Sequence, residues 1–264
     1  MGIKTKVDWC DSTWNPVTGC LHGCAYCYAR KIAERFGSKQ KPESIERSVL
    51  NAPMRCTDLY SYMRMAGISR GKVQPYPFDF SPTLHRYKLD EPQKWKKPRT
   101  IFVCSMADLF GDWVPLEWIQ EVFAACGKAP QHRYLFLTKN PKRYMELQLK
   151  GKLPKQHWYG TSVTRKDDRD FFAPGYNTFV SIEPILESFS DEKHAAYRQM
   201  VQAWAILGAE TGNRKNKIVP KKEWITELVD YYSKFGYTKF FMKDSLRGLM
   251  GDDFRQEFPW KEKQ

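Results

Sequence analysis

A chain of 264 residues, 42% of them hydrophobic, is long enough for one domain with a substantial core. No apolar run approaches the roughly 20 residues that a bilayer-spanning helix needs, and the opening MGIKTKVDW is no signal peptide, so a soluble cytoplasmic protein with no membrane partner is expected. Lysine and arginine total 43 against 30 acids, a formal charge of +13, which points to a polyanion such as nucleic acid, because phosphate contacts release counterions. The basic residues gather in Arg30–Lys41, Lys94–Arg99, Lys139–Lys155 and Arg214–Lys222, with Trp95, Tyr144, Trp158 and Trp224 close by. A solvated basic surface is the plainer reading of the same charge.

In chain order, residues 6–9 read as a first strand and Tyr28–Phe36 as a helix. Residues 37–78 break the rhythm with proline, glycine, serine and charge, and carry one expected helix at Thr57–Met65. They read as an insertion, either a lid or an element that touches substrate. A short strand is expected near Thr83–Tyr87. From there apolar runs recur: TIFVCSM (100–106), RYLFLT (133–138), HWYGTSV (157–163), TFVSIE (178–183), AWAILG (203–208) and KFFM (239–242). Such runs suit strands covered on both faces. Between the first two of these runs, Pro115–Lys128 places Trp118, Ile119, Val122, Phe123 and Cys126 on one helical stripe. Before the last run, Lys221–Phe235 does the same with Trp224, Leu228, Tyr231 and Phe235, and Gly236 ends it. Alternation of this kind predicts an α/β fold with a parallel sheet, open or closed into a (β/α) barrel. No linker splits the chain, so one domain over residues 1–264 is expected.

In parallel α/β folds reactive groups gather at the carboxyl ends of the strands. Here those ends are polar: Ser105 and Asp108 in VCSMAD, Thr138 and Lys139 in FLTKNP, Ser162 and Thr164 in GTSVT, Ser181 and Glu183 in SIEP, Glu210 in GAETG, and Lys243 and Asp244 in MKDS. Any one of them suits a helix cap; together they suit a pocket for a large polar ligand. The signatures of zincins, zinc deaminases and serine hydrolases are missing.

Three of the seven cysteines fall within eight residues, CLHGCAYC, as Cys20, Cys24 and Cys27. Cys104 and Cys126 sit in apolar patterns and read as buried small residues. A closed structural zinc site needs four ligands, and the fourth would be Cys10, His22 or a remote residue such as Cys56. An iron–sulfur cluster on three thiolates instead leaves one iron open to chemistry.

CLHGCAYC resembles the C-x3-C-x2-C signature of the radical S-adenosylmethionine superfamily, with Tyr26 at the aromatic place before the third cysteine. NPVTGC, IFVCSMADLF, FLTKNP, SIEPIL and GAETG are similar to a phage-associated, radical-SAM-like family known by its three-cysteine motif. The resemblance implies a partial (six-strand) to complete (eight-strand) barrel. It implies that Cys20, Cys24 and Cys27 hold a 4Fe-4S cluster. Reductive cleavage of S-adenosyl-L-methionine there would give a 5′-deoxyadenosyl radical that takes hydrogen from substrate. By motif position the Tyr26 backbone would approach the adenine. The superfamily's glycine-glycine-glutamate segment is not evident, so Ser105 and Asp108 are candidate substitutes, and Ser162 a candidate for the ribose or carboxylate. Glu183, Glu210 and Lys243 would face substrate or cofactor as catalytic groups.

The function expected is a radical enzyme, aided by a reducing electron donor, that modifies, rearranges or repairs a base of nucleic acid, DNA before RNA, or of a nucleotide-like substrate. One version rearranges a hypermodified thymine in phage DNA, in the host cytoplasm. The rivals are a radical SAM enzyme acting on a small metabolite or peptide, and a zinc-stabilised nucleic-acid-binding module without catalysis.

Overall fold

A computed structural model describes residues 5–45, 47–55, 73–189, 202–234 and 236–261. In chain order its elements begin with strands β1 (Ser12–Trp14) and β2 (Val17–Thr18), helix α1 (Tyr28–Phe36), and strands β3 (Val49–Leu50), β4 (Thr83–His85) and β5 (Thr100–Val103). Then come α2 (Leu116–Gly127), β6 (Arg133–Thr138), α3 (Pro141–Leu149), β7 (Trp158–Ser162) and β8 (Asn177–Ile182). Strand β9 (Trp204–Leu207), α4 (Lys222–Ser233), β10 (Lys239–Met242) and the single turn α5 (Arg247–Met250) complete the chain. The contacts divide it into two compact units. The first comprises Met1–Thr13, Pro98–Phe102 and Gln131–Gln264, the second Trp14–Lys97 and Val103–Pro130.

The first unit carries a seven-stranded sheet in the order β1-β5-β6-β7-β8-β9-β10, parallel throughout its registered ladders. It is a partial (β/α) barrel, between the six and eight strands expected. The strands read as unbroken apolar runs because both faces are buried. In β9, Trp204 and Ile206 point to one face, among Trp9, Phe102, Leu135, Phe179 and Phe241. Ala205 and Leu207 point to the other, among Val180, Ile182, Phe240, Met242 and the α4 residues Ile225, Leu228, Val229 and Tyr232. Past β10, Met242 N donates to Arg255 O (2.7 Å) and Glu257 N to Phe240 O (2.8 Å). This antiparallel tail occupies the hydrogen-bonding edge that β10 would otherwise expose.

The second unit holds a three-stranded sheet, β2-β4-β3, with β2 antiparallel and β3 parallel to β4. Helix α2 buries Trp118, Ile119, Val122 and Cys126 as the stripe predicts, with Ala125 in place of Phe123. Its Glu121 accepts both Nε and Nη2 of Arg86 at 2.7 Å.

Three differences from the sequence expectation have physical causes. Residues 6–9 form no strand: Cys10 Sγ donates back to Val7 O, a turn that instead buries Trp9 in the sheet core. The strand comes later, at Ser12–Trp14, after Asp11 Oδ2 accepts the Thr100 amide at 2.7 Å. The short strand expected near Thr83–Tyr87 is β4, which lies in the small sheet. The buried face of α4 is Ile225, Leu228, Val229 and Tyr232, rotated from the predicted stripe, so that Trp224 and Tyr231 are only partly buried. Helix α3 escaped prediction because its basic residues mask a face of only two buried side chains, Tyr144 and Leu147. The expected helix at Thr57–Met65 lies outside the described residues.

His85 is fully buried, one ring nitrogen 2.8 Å from Thr18 Oγ1. Burial first, and Lys88 second, push it down to about 3, and burial pushes His157 down to about 4. Both folded-state values lie below the ordinary 6.5, so each neutral imidazole contributes stability that is complete above that pH and is lost as pH falls towards 4. Denaturant titrations between pH 7 and 4.5 should show stability falling by up to about 1.4 kcal/mol per pH unit for each ring. A His85→Gln, His157→Gln variant should show a flatter acid limb, and an identical limb would contradict this origin.

Candidate functional site

The loop that follows β2 in the second unit is held by its backbone. Gly19 has φ +87°, and a Cβ there would fall 2.2 Å from Ser81 O, so only glycine fits. Its amide donates to Met106 O (2.9 Å), and the next amide, Cys20 N, donates to Phe80 O (3.1 Å). Asn15 Oδ1 accepts from Met106 N (3.0 Å) and Ser105 Oγ (3.1 Å). Cys27 N donates to Cys24 O (3.1 Å), and Cys27 then caps α1, its Sγ accepting the Arg30 amide at 3.3 Å. Arg30 lays its guanidinium over the Phe80 ring and donates to Cys20 O.

Cys20, Cys24 and Cys27 are free and half-buried on this loop, with Tyr26 half-buried in the turn between the last two. Burial pushes the Cys20 thiol up to about 11; the His22 amide lowers it, while Asp108, Cys27 and Cys24 raise it further. Cys24 and Cys27 thus bear on the Cys20 sulfur, whose ionisation a bound cation would favour. Among the described residues no three His, Cys, Asp or Glu side chains are already gathered at metal-holding geometry. The donor chemistry nonetheless fits an iron–sulfur cluster: three free thiols on one short, backbone-anchored loop.

His22 lies between the first two cysteines, its Nε2 2.7 Å from Asp108 Oδ2 and its ring edge-on to Trp113. Asp108 Oδ1 accepts the Phe110 amide. This nitrogen of His22 is thus committed to a buried carboxylate rather than to a fourth ligand position. Cys104, directly after β5, holds the left-handed conformation at φ +58° that L-residues avoid. That turn brings Ser105 and Asp108 beside the cysteine loop, where Tyr28 Oη donates to Ser105 O at 2.6 Å. Cys10 belongs to the first unit, its thiol pushed up to about 12 by burial, and Cys56 lies outside the described residues.

In the first unit, β8, β9 and β10 end in register at Ile182, Leu207 and Met242. The residues that follow, Glu183, Gly208 and Lys243, therefore stand side by side. Lys243 Nζ donates to Glu183 Oε1 at 2.5 Å, and both side chains pass over Gly208. Burial pulls the Lys243 ammonium down, but Glu183, then Asp8 and Cys10, outweigh it, so Lys243 is held charged. Glu210, also buried, accepts Arg214 Nε (2.6 Å) and Nη2 (2.7 Å) as a two-pronged pair. Ser162 ends β7 half-buried, paired with Ser181. The first unit thus brings Glu183 and Lys243 together and gives Glu210 a separate partner.

Residues 4–248 match the family described as Protein of unknown function (DUF5131). The chain belongs to this family. No curated protein matches the sequence. The fold of this DUF5131 member is similar to that of spore photoproduct lyase. One cysteine-to-alanine variant of that protein superposes with a TM-score of 0.51 at 12% identity, over 92% of this chain and 79% of that one. A variant solved with dinucleoside spore photoproduct gives 0.51 at 11%, over the same shares. At such identity the likeness is one of fold.

Asn15, Arg30 and Arg214 carry no individual role in the sequence expectation, and His22 enters it only as a possible fourth zinc ligand. Asn15 was the most findable, as a polar residue directly after a strand and five before the first cysteine. The others act through partners distant in sequence or through a turn that periodicity does not reveal.

Gly19→Ala should force Cys20 off its contact with Phe80. Left-handed strain alone costs about 1–2 kcal/mol. After anaerobic reconstitution, the variant should retain less than about half the wild-type iron and melt at lower temperature. Full iron loading would contradict the account of the loop.

Proposed function

We propose that this DUF5131 protein is a radical S-adenosylmethionine enzyme acting on a nucleic-acid base. The observation that carries the reading is the cysteine loop itself: three free thiols between a strand and a helix, anchored by Gly19 and Asn15 to the end of β5. The partial barrel is the fold that the three-cysteine resemblance implies. When bound, a 4Fe-4S cluster on Cys20, Cys24 and Cys27 would supply an electron to S-adenosyl-L-methionine at its open iron and so generate a 5′-deoxyadenosyl radical.

The chain's own residues would orient and shield that chemistry. The Tyr26 backbone would meet the adenine. Ser105 and Asp108 would define the floor beside the loop, with Asp108 steadying His22 as well. Ser162 would serve the ribose or carboxylate. Lys243, held charged by Glu183, suits binding an anionic group rather than accepting a proton. Glu210 would act by aiming Arg214. Of the insertion at residues 37–78, read as a lid or a substrate-contacting element, residues 46 and 56–72 lie outside the described residues.

A charge of +13 supports a polyanionic substrate, as does a fold shared with a protein solved with a dinucleoside photoproduct. A base inside a duplex would have to leave the stack to reach the radical. The narrower version places the protein in a phage-associated family and in the host cytoplasm, rearranging a hypermodified thymine. Among the described residues no helix is long and apolar enough to cross a membrane.

The test is replacement of Cys20, Cys24 and Cys27 together by alanine, assayed anaerobically for reductive cleavage of S-adenosylmethionine and for duplex binding across a salt series. Cleavage should vanish while duplex affinity changes less than about threefold and keeps its steep salt dependence. Cleavage that survives would sink the catalytic reading, and a flat salt response would sink the nucleic-acid one.

A further inference from the structure

The proposed chemistry starts only once the cluster has gained one electron, which no residue of the chain supplies, so a reductant has to reach the cysteine loop from outside. Helix α1 begins at that loop, with Cys27 as its cap. It turns only Ala29 and Ala33 inward. Tyr28, Ile32 and Phe36, spaced i, i+4 and i+8, form a stripe along its length that is 52%, 37% and 52% exposed. Leu21, inside the cysteine motif, is 56% exposed. Single exposed apolar residues are ordinary; four large ones within sixteen residues on a loop and the helix it caps are not.

The rim of this stripe is basic. Lys31 and Arg35 are exposed and lie one turn apart on its outer side, with the Arg35 guanidinium 5.1 Å from the Phe36 ring. Arg30, Lys39 and Lys41 add to the charge, and Glu34 is the sole acid between Leu21 and Pro42. An apolar centre with a charged rim is the anatomy of a protein interface. Nucleic acid fits it less well: Tyr28 and Phe36 could stack on bases, but Ile32 and Leu21 offer no ring face. Nine residues of helix span roughly 13 Å, so the whole stripe stays close to Cys27.

Building on the radical reading, we propose that the α1 stripe is the docking surface for a small acidic electron-carrier protein, with a flavin or iron–sulfur centre. The exchange is balanced: the carrier's reduced centre is oxidised by one electron, the cluster is reduced by one, and no bond or proton changes at the interface. Encounters of this class use small interfaces steered by charge, which matches a short stripe with a one-signed rim.

The experiment follows reduction of the reconstituted holoprotein by stopped-flow absorbance, once with dithionite and once with a reduced acidic flavodoxin. Two surface variants are compared, Lys31→Glu with Arg35→Glu, and Ile32→Ser with Phe36→Ser. In each, the flavodoxin-driven rate should fall about tenfold or more, while iron content and the dithionite rate stay within about twofold. Added salt should slow the wild type and leave the charge-reversed variant nearly unaffected. Unchanged flavodoxin rates in both variants overturn the proposal, as does loss of duplex binding with no loss of flavodoxin reduction, which would give the stripe to substrate. A wild-type protein that dithionite cannot reduce would strike the cluster reading itself.

Discussion

Asn15 has one side-chain oxygen, and the second unit uses it twice, for the Ser105 hydroxyl and the Met106 amide. That shared acceptor, with the Gly19 amide on Met106 O, joins the start of the cysteine loop to the end of β5. Everything proposed for the three thiols depends on this joint. Without it the loop would be a run of glycine, histidine and cysteine free to sample many shapes, and ordering it on metal binding would consume much of the binding energy. With it, the start of the loop is fixed in place before any metal binds.

Environment separates the cysteines into two kinds. Cys104 and Cys126 are buried, and burial pushes both thiols up, outweighing the opposing pull of Lys88 on Cys104. They pack as small apolar residues. The loop cysteines are half-buried, and at Cys20 burial first, then Asp108 and the other two thiols, oppose ionisation. The ion pair in the first unit shows the reverse logic. Glu183 keeps Lys243 charged despite burial.

Much of the barrel was legible because strands buried on both faces cannot hide: RYLFLT and KFFM match β6 and β10 to the residue. Legibility failed where a local bond outbids periodicity, as with the Cys10–Val7 turn that displaced the first strand. It failed too where amphipathicity is shallow, as in α3. The site divides the same way. The cysteine spacing is local and could be read directly. The partners of Asp108 and Glu210 could not: His22 is 86 positions away, and Arg214 sits four residues on in a loop with no helical period to betray it.

The central claim is that three protein thiolates hold a cluster and leave one iron free. Mössbauer spectroscopy of the 57Fe-reconstituted protein, with and without S-adenosylmethionine, addresses it most directly. The account predicts that one iron in four becomes spectroscopically distinct when the cofactor is added, with the other three unchanged. Four equivalent irons indifferent to S-adenosylmethionine, or a protein that takes up stoichiometric zinc in place of iron, would contradict it.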